Sequence, residues 1–351
     1  MTLFKDMLTA DECVFKNIHV LDFDYQPKLI RYRENHQFAI ANSIKPLFKN
    51  HKGENVLVYG SSGIGKTLAC TNILKELEEE TDSITPIYIN CWQHNTTYKI
   101  ALNICEQLNY PFTNNKKGVE LFKEIVERIN KGSAVFVFDE IDKAEDLDFL
   151  YTITEHILKY SIILITNNKG KLLSSIDGRV RSRLFLECVE FKKYNLEETK
   201  GILKERVDHA FCKGCFENDA FNFAVEKTFD RGDIRSGLLI LLKSGKYADG
   251  LSSKYVKIDH VEKILDKVDN YAIKGSSDLD EATRGILDLV KKNTGKTIPT
   301  LFKAYQTTGG DLGYRSFYRR IKALELNKYI AVTKVFGGKK GNTSKVEYLS
   351  L

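Results

Sequence analysis

The sequence predicts an α/β protein with a parallel sheet domain, an all-helical domain and a C-terminal winged helix. Three observations predict this fold. A glycine-rich phosphate-binding motif follows a short apolar strand, apolar runs of strand length then alternate with helical patterns, and the last 76 residues combine three helical patterns with a basic hairpin. Strands that alternate with helices are typical of a parallel sheet covered on both faces. We expect domains at residues 1–195, 196–274 and 275–351.

The first element is an apolar strand, residues 56–59, followed by the pattern G-x-x-x-x-G-K-T and a helical pattern over residues 68–80. Glycines let successive backbone N–H groups point inward around an anion, and the next helix N-terminus adds further donors. The lysine of this motif reaches the β- and γ-phosphates, and the neighbouring hydroxyl binds Mg²⁺. The motif therefore predicts a nucleoside triphosphate site. Its binding residues are Gly60, Ser61, Ser62, Gly63, Ile64, Gly65, Lys66, Thr67 and Leu68.

Four more apolar runs predict the remaining strands of the sheet, at residues 85–90, 134–138, 162–166 and 186–191. The segments between them place apolar residues three and four positions apart, which is the helical period, at residues 98–108, 119–129 and 147–159. Residues 196–273 are helical in pattern throughout, with Asn195 as the expected N-cap. A linker is expected at residues 274–278.

Two carboxylates follow the predicted strand 134–138. Asp139 is expected to hold Mg²⁺ opposite Thr67, and Glu140 to orient and deprotonate the water that attacks the phosphate. Such pairs occur by chance after many strands. This one follows a phosphate loop in the same predicted sheet, which favours the catalytic interpretation.

An amide follows the next strand. Asn167 is expected to contact the γ-phosphate or the attacking water, with Asn168 as the alternative. An asparagine at the end of a strand is also a common turn residue, so the pattern alone leaves both interpretations open.

Arginines predict the remaining catalytic groups. Arg179, Arg181 and Arg183 lie at alternating positions, and an arginine supplied to a neighbouring site can neutralise charge on a transferring phosphoryl group. Each of them is also compatible with an ordinary surface ion pair. Within the helical domain, Asp233 is expected to cap a helix that presents Arg235 to the nucleotide.

Composition limits the other possibilities. No charge-free apolar run approaches 18 residues, so no membrane span is predicted. The 7 scattered cysteines do not form a disulfide framework and indicate a reducing compartment. Cys212 and Cys215 have a metal-like spacing without a second pair, so a loop between helices is expected there. We expect a cytoplasmic, nucleoid-associated protein.

The C-terminal domain carries the positive charge. Residues 276–351 contain 14 lysines and arginines against 7 aspartates and glutamates, whereas the rest of the chain is nearly neutral. A basic terminal domain indicates a polyanionic partner, although a solvated basic surface is the simpler alternative. Helical patterns cover residues 280–292, 298–307 and 314–326, and strands are expected at 329–336 and 344–349.

The third of these helices is expected to have two faces. Phe317, Ile321 and Leu324 share one face at helical spacing. Basic residues share another, and a cationic helix of this kind can meet phosphates and base edges in the major groove of DNA. The predicted DNA-binding residues are Arg315, Arg319 and Lys322 on the helix, with Lys339 and Lys340 at the tip of the hairpin.

Taken together, these residues resemble an AAA+ ATPase of the origin-recognition (Orc/Cdc-type) replication-initiator family, most like its archaeal members. The resemblance covers nearly the whole chain and depends on the order of the motifs. Residues 15–34 resemble the N-terminal segment that cradles adenine, and residues 89–91 with 96–98 resemble the second strand and the following helix. The motifs at 138–142, 166–167, 177–184, 191–194 and 232–235 then follow in the order of the family.

The resemblance implies roles for particular residues. Asp139 and Glu140 would form the Walker B pair, Asn167 would be sensor 1 and Arg235 would be sensor 2. The arginine finger would be Arg183 or, in the alternative alignment, Arg179. Tyr25, Arg33 and Tyr194 would contribute to nucleotide binding. The DNA-contacting helical insertion of the family would fall at residues 113–118, where this chain has only a short polar stretch.

The resemblance also implies a function. We expect a weak ATPase that uses ATP or ADP with Mg²⁺ as a regulatory switch, binds double-stranded origin DNA and helps to recruit the replicative helicase. It could act on DNA with itself or with a paralogue. The alternatives are a clamp-loader-like machine and a signalling or defence ATPase, both with a winged helix used for protein contacts.

Overall fold

A computed structural model describes residues 14–23, 25–27, 30–265, 281–308, 310, 312–326, 330–335 and 343–348 of the 351-residue chain. The chain divides into two compact units, Met1–Val261 and Glu262–Leu351. No helix of the described residues is long and apolar enough to cross a membrane.

The first unit is built on a five-stranded parallel sheet with the strand order β2-β3-β4-β1-β5. The strands are β1 Asn55–Tyr59, β2 Ile84–Asn90, β3 Ser133–Asp139, β4 Tyr160–Thr166 and β5 Leu186–Glu190. Every residue of β3 and β4 is buried. This confirms the predicted sheet, and its parallel strands all end at one edge, where ligands of such sheets bind.

Helices cover both faces of the sheet. They are α1 Glu34–Phe48, α2 Lys66–Glu80, α3 Thr97–Gln107, α4 Gly118–Ile129, α5 Asp148–His156, α6 Lys169–Ser175 and α7 Gly178–Leu184. Alternate residues of β3 point to opposite faces: Phe136 packs with residues of α3, α4 and α5, and Val137 with residues of α1 and α2. Helix α5 ends three residues before the predicted position 159, because Tyr160 already begins β4.

The predicted insertion site of the family is a loop here. Residues 108–117 connect α3 to α4 without a helix of their own.

A helical lid follows the sheet. It contains α8 Leu196–Ala210, α9 Asn218–Arg231, α10 Ile234–Gly250 and α11, which begins at residue 258 and is described to residue 265. Asn195 caps α8 as predicted and forms a capping box with Glu198. Cys212 and Cys215 lie in the loop between α8 and α9, and no cluster of metal-ligating side chains occurs among the described residues.

The N-terminal segment is attached to the lid rather than to the sheet. Lys16 N donates to Ala210 O (2.8 Å), and Val14 N donates to an Asp249 carboxylate oxygen (2.8 Å). The Phe15 ring packs against the Phe211 ring, with centroids 4.7 Å apart. We call residues 14–23 and 25–27 the N-terminal strap.

The second unit is a winged helix. Its elements are α12 Glu281–Lys292, β6 Lys296–Thr297, α13 Ile298–Thr307, α14 Tyr314–Leu326, β7 Ile330–Val335 and β8 Thr343–Tyr348. The three strands form an antiparallel sheet with the order β6-β8-β7. Phe317, Ile321 and Leu324 are fully buried, which confirms the predicted core face of α14. Lys339, Lys340 and the linker 274–278 lie outside the described residues.

Candidate nucleotide-binding site

A cavity of about 490 Å³ lies at the carboxyl edge of the first unit's sheet. Its walls come from three sources: the N-terminal strap with the residues that follow it, the loop after β1 together with the ends of β3 and β4, and the lid helices α8 and α10. Most of the sequence-predicted nucleotide residues line it. They include Tyr25, Ser62, Gly63, Gly65, Lys66, Thr67, Leu68, Asp139, Glu140, Asn167, Tyr194 and Arg235.

The loop after β1, residues 60–65, has a backbone geometry suited to binding an anion, and we call it the phosphate cradle. Gly60, Gly63 and Gly65 have positive φ angles of 149°, 73° and 89°. A Cβ on Gly63 would lie 1.9 Å from Asp233 Oδ1, and one on Gly60 would lie 2.2 Å from Phe191 O. Side chains are therefore excluded on steric as well as conformational grounds. Lys66 begins α2, so the helix N-terminus also faces the cradle.

Lys66 is held by oxygens of the cradle itself. Its Nζ donates to Gly60 O (2.9 Å), Ser61 O (2.6 Å) and Asn167 Oδ1 (2.8 Å). Burial lowers the pKa of Lys66 to about 8, against the opposing effect of Asp139. Because desolvation disfavours the ammonium form, a bound phosphate would restore the charge that burial penalises. The site is thus suited to an anion.

The predicted magnesium ligands lie side by side. Thr67 Oγ1 donates to Asp139 Oδ2 (2.6 Å), and the Tyr88 hydroxyl donates to the same oxygen (2.9 Å). Asp139 is buried, and its second oxygen accepts from the Glu140 N–H (2.8 Å). A hydroxyl and a carboxylate are hard oxygen donors of the kind that Mg²⁺ takes. These residues fit that ion.

Glu140 has the properties expected of a general base. Its φ and ψ of 51° and 41° are left-handed, which is unusual for a glutamate and typical of functional sites. Burial, and then the charge of Asp139, raises its pKa above the usual value of a glutamate. A raised carboxylate pKa makes the group a better proton acceptor for water.

The two asparagines after β4 have different surroundings. Asn167 reaches Lys66, as described above, whereas the Asn168 side chain accepts from Lys171 N (3.0 Å) and caps α6. Asn168 therefore serves the turn, and Asn167 is the amide that faces the phosphate cradle. Thr166, the last residue of β4, donates to Asp142 Oδ1 (2.9 Å) and holds this edge to the segment after Glu140.

The lid closes the cavity through α10. The Asp233 side chain accepts from Arg235 N and caps this helix, as predicted. An Arg235 guanidinium nitrogen donates to Ser62 Oγ (2.6 Å) and forms an ion pair with Asp233 (3.1 Å). Ile234 N also donates to Gly63 O (3.2 Å). The lid therefore bonds directly to the phosphate cradle.

The opposite end of the cavity fits a nucleobase better than a phosphate. Phe23, Tyr25, Pro27, Ile30 and Ile202 provide apolar walls. The sequence did not point to Arg206, which is buried beside them. Its guanidinium carbon lies 4.7 Å from the centre of the Tyr25 ring, and one of its nitrogens donates to Val20 O (3.1 Å).

Arg33 is not among the residues that line the cavity, although it was predicted to contribute to nucleotide binding. It is buried, donates to Ile64 O (3.3 Å) and to Lys192 O (2.6 Å), and stacks on the Tyr194 ring at 3.9 Å. Arg33 thus braces the back of the phosphate cradle. Tyr194 lines the cavity and so lies between Arg33 and the cavity.

The arginines of α7 lie away from this cavity. Arg183 forms an ion pair with Glu155 and stacks over the Tyr151 ring at 5.3 Å, whereas Arg179 pairs with Asp177 at 3.5 Å. Both are on one helix, as expected for α7. Neither arginine lines the nucleotide-binding cavity of its own chain.

On the winged helix, Arg315 and Arg319 are exposed on α14 and form no ion pair with the described residues. Lys322 is also exposed but pairs with Glu325 at 2.6 Å.

Comparison with known proteins agrees with this geometry. Residues 50–173 match the model of an AAA domain, and residues 200–264 match the Cdc6 AAA+ ATPase-type lid domain. The ORC1-type DNA replication protein 1 of Sulfolobus acidocaldarius is 29% identical over 357 residues, covering 95% of this chain and 89% of that protein. The protein of the same name from Sulfurisphaera tokodaii is 33% identical over 264 residues, covering 71% of this chain and 66% of that protein.

A solved structure has the same architecture. The Aeropyrum pernix ORC1 protein, determined in complex with DNA, matches 95% of this chain and 93% of its own with a TM-score of 0.76 and 25% identity. The AAA domain and the lid each match a family model, and the likeness to the solved structure covers nearly the whole chain, the winged helix included. The chain belongs to the Orc1/Cdc6-type AAA+ replication-initiator family.

Proposed function

We propose that this protein is a nucleotide-switched replication initiator, a weak ATPase that binds double-stranded origin DNA through its winged helix and helps to recruit the replicative helicase. The proposed switch rests on the hydrogen bond from Arg235 of the lid to Ser62 of the phosphate cradle. A γ-phosphate in the cradle would take over the Arg235 contact, so the lid would respond to the nucleotide that is bound.

The residues around the cavity divide the chemistry among them. Lys66 and the cradle N–H groups bind the phosphates, and Asn167 positions Lys66 or the attacking water. Glu140 holds that water and accepts its proton. Thr67 and Asp139 would hold Mg²⁺, which neutralises charge on the β- and γ-phosphate oxygens when it is bound.

The arginine geometry supports a slow ATPase in the monomer. Arg183 is paired with Glu155 and Arg179 with Asp177, so neither is placed to neutralise charge in its own cavity. An arginine of this kind accelerates phosphoryl transfer by several powers of ten where it is present. Fast hydrolysis would therefore need a second protomer or a paralogue on the same DNA.

The DNA-binding proposal is supported by the exposed arginines of α14 and by the relative whose structure was solved with DNA. The test is binding of the full chain to duplex DNA at graded salt concentrations, with ATP and with ADP. Arginine–phosphate contacts release counterions, so affinity should fall steeply with salt. A steep dependence with different affinities for the two nucleotide forms is expected. A flat salt response would favour the signalling or clamp-loader alternatives.

Genome-wide footprinting of the bound protein tests the origin assignment. Peaks beside replication starts are expected, whereas peaks unrelated to them would contradict an initiator role.

Co-purification of the replicative helicase on origin DNA, compared with the same DNA without this protein, tests recruitment.

A further inference from the structure

Two exposed tyrosines lie on the same side of α14, at the end where the helix begins. Tyr314 is 45% exposed and Tyr318 is 41% exposed. Their rings are one helical turn apart and nearly parallel, with centroids 6.4 Å apart and an interplanar angle of 28°. Large aromatic rings that stay partly exposed on a charged helix need a reason, since Phe317 of the same helix already fills the apolar core of this unit.

The rings are held in place by the core beneath them. Tyr314 packs edge-on against Phe302, with centroids 5.0 Å apart and an interplanar angle of 86°, and Phe302 in turn contacts Phe317 at 5.3 Å. Tyr314 is therefore positioned before any partner arrives. A rigid ring with two side-chain torsions loses little entropy on binding.

The charges around the pair indicate the class of partner. Arg315 and Arg319 follow the two tyrosines along the helix and are exposed. The stretch from residue 314 to residue 322 contains no carboxylate. An aromatic pair bordered by cations fits a polyanion that also offers an apolar surface, and DNA provides both in its major groove, where the thymine methyl group projects.

The two rings lie at the end of α14 that would read bases in a helix-turn-helix protein. In helix-turn-helix proteins the N-terminal residues of the recognition helix contact base edges. Tyr314 and Tyr318 occupy that position on α14, because the helix begins at Tyr314.

We propose that Tyr314 and Tyr318 read thymine methyl groups in the major groove, and that Arg315 and Arg319 bind the phosphates beside them. This inference rests on the proposed DNA binding of the winged helix. It adds that sequence preference comes from the tyrosines and general affinity from the arginines. The preferred ligand is duplex DNA that presents thymine methyl groups to both rings.

The test replaces thymine by uracil, which removes the methyl group and keeps every hydrogen-bonding atom. The full-length protein is titrated with duplexes of alternating dA and dT, of alternating dA and dU, and of alternating dG and dC. Burying one methyl group changes affinity by about fourfold. Two such contacts predict that the dT duplex binds about ten times more tightly than the dU duplex, or more, and we call this quotient of affinities the dT-to-dU ratio.

Variants then locate the effect. Tyr314→Ala and Tyr318→Ala should each lower the dT-to-dU ratio, whereas Tyr314→Phe and Tyr318→Phe should keep it, because the ring makes the contact. Tyr255→Ala is the matched control, since Tyr255 is an exposed tyrosine (50%) of the other unit. It should leave the ratio unchanged.

The outcomes separate the two proposals. If the wild-type protein binds none of the duplexes in a salt-dependent manner, the DNA-binding function itself is wrong. If it binds them all with a dT-to-dU ratio near one, or if both alanine variants keep the wild-type ratio, DNA binding stands and the tyrosine inference is overturned. The wild-type ratio does not depend on how well any variant folds.

Discussion

The phosphate cradle and the exposed face of α14 both present cations to an anion, but they do so in opposite ways. Lys66 is buried and fixed by three oxygens, with a pKa lowered to about 8. Arg315 and Arg319 are exposed, without ion pairs among the described residues. A buried, fixed cation recognises one chemical group at one place. Exposed cations attract any phosphate that comes near them. Each therefore adds a small, sequence-independent contribution to DNA affinity, and salt weakens that contribution.

Lys66→Ala should have the largest effect. It removes the buried cation and leaves Asn167 Oδ1 without this donor, so nucleotide binding should be lost at millimolar ATP. Calorimetric titration with ATP and with ADP measures it. Lys143→Ala is a control on the same edge of the sheet, where Lys143 stacks over Trp92 at 4.7 Å and lies outside the cavity. Normal ATP affinity in Lys66→Ala would contradict the assignment of the cradle.

Glu140→Gln should have the next largest effect. The change keeps the size of the side chain and removes the proton acceptor, so ATP should bind normally while hydrolysis falls by about 10²- to 10⁴-fold. Single-turnover hydrolysis and ATP affinity are measured on the same preparation. Glu127→Gln is the matched control, because Glu127 is exposed on α4 and does not line the cavity. An unchanged hydrolysis rate in Glu140→Gln would move the role of base to another residue.

Arg315→Ala and Arg319→Ala should have the smallest effects, as expected of exposed cations. Each should weaken binding to all duplexes by a similar factor and reduce the slope of log affinity against log salt by about one. Lys322→Ala is the comparison, since Lys322 already pairs with Glu325 and should change the slope less. A loss confined to one DNA sequence would show that the arginines read bases, which would remove the contrast between the two regions.

The position of the loop between β1 and α2 could be predicted because its sequence pattern is local. Glycines and the lysine and threonine that follow must be contiguous to wrap one phosphate, so their pattern is visible in a single stretch. The strands and α14 were also predicted correctly, since the period of apolar residues reflects which face each element buries. Phe317, Ile321 and Leu324 are an example.

Contacts between distant segments could not be predicted in this way. Tyr88 and Asp139 are 51 residues apart, and Arg206 lies 186 residues from the Val20 carbonyl to which it donates. Their meeting depends on strand order and on how the N-terminal strap crosses the lid. Arg33 illustrates the same limit: it is close to the cradle, as its motif indicates, but it braces the cradle from behind.

The attachment of the strap to the lid has a consequence for how the protein is made. Val14 is bonded to Asp249, 235 residues further along the chain. At typical rates of protein synthesis, roughly 5 to 20 residues per second, the start of the chain waits about 10 to 50 s for its partner to leave the ribosome. The sheet and the phosphate cradle can form during that interval. The base end of the cavity can be completed only after the lid has been synthesised, so a nascent chain holds phosphate-binding loops before it can hold a whole nucleotide.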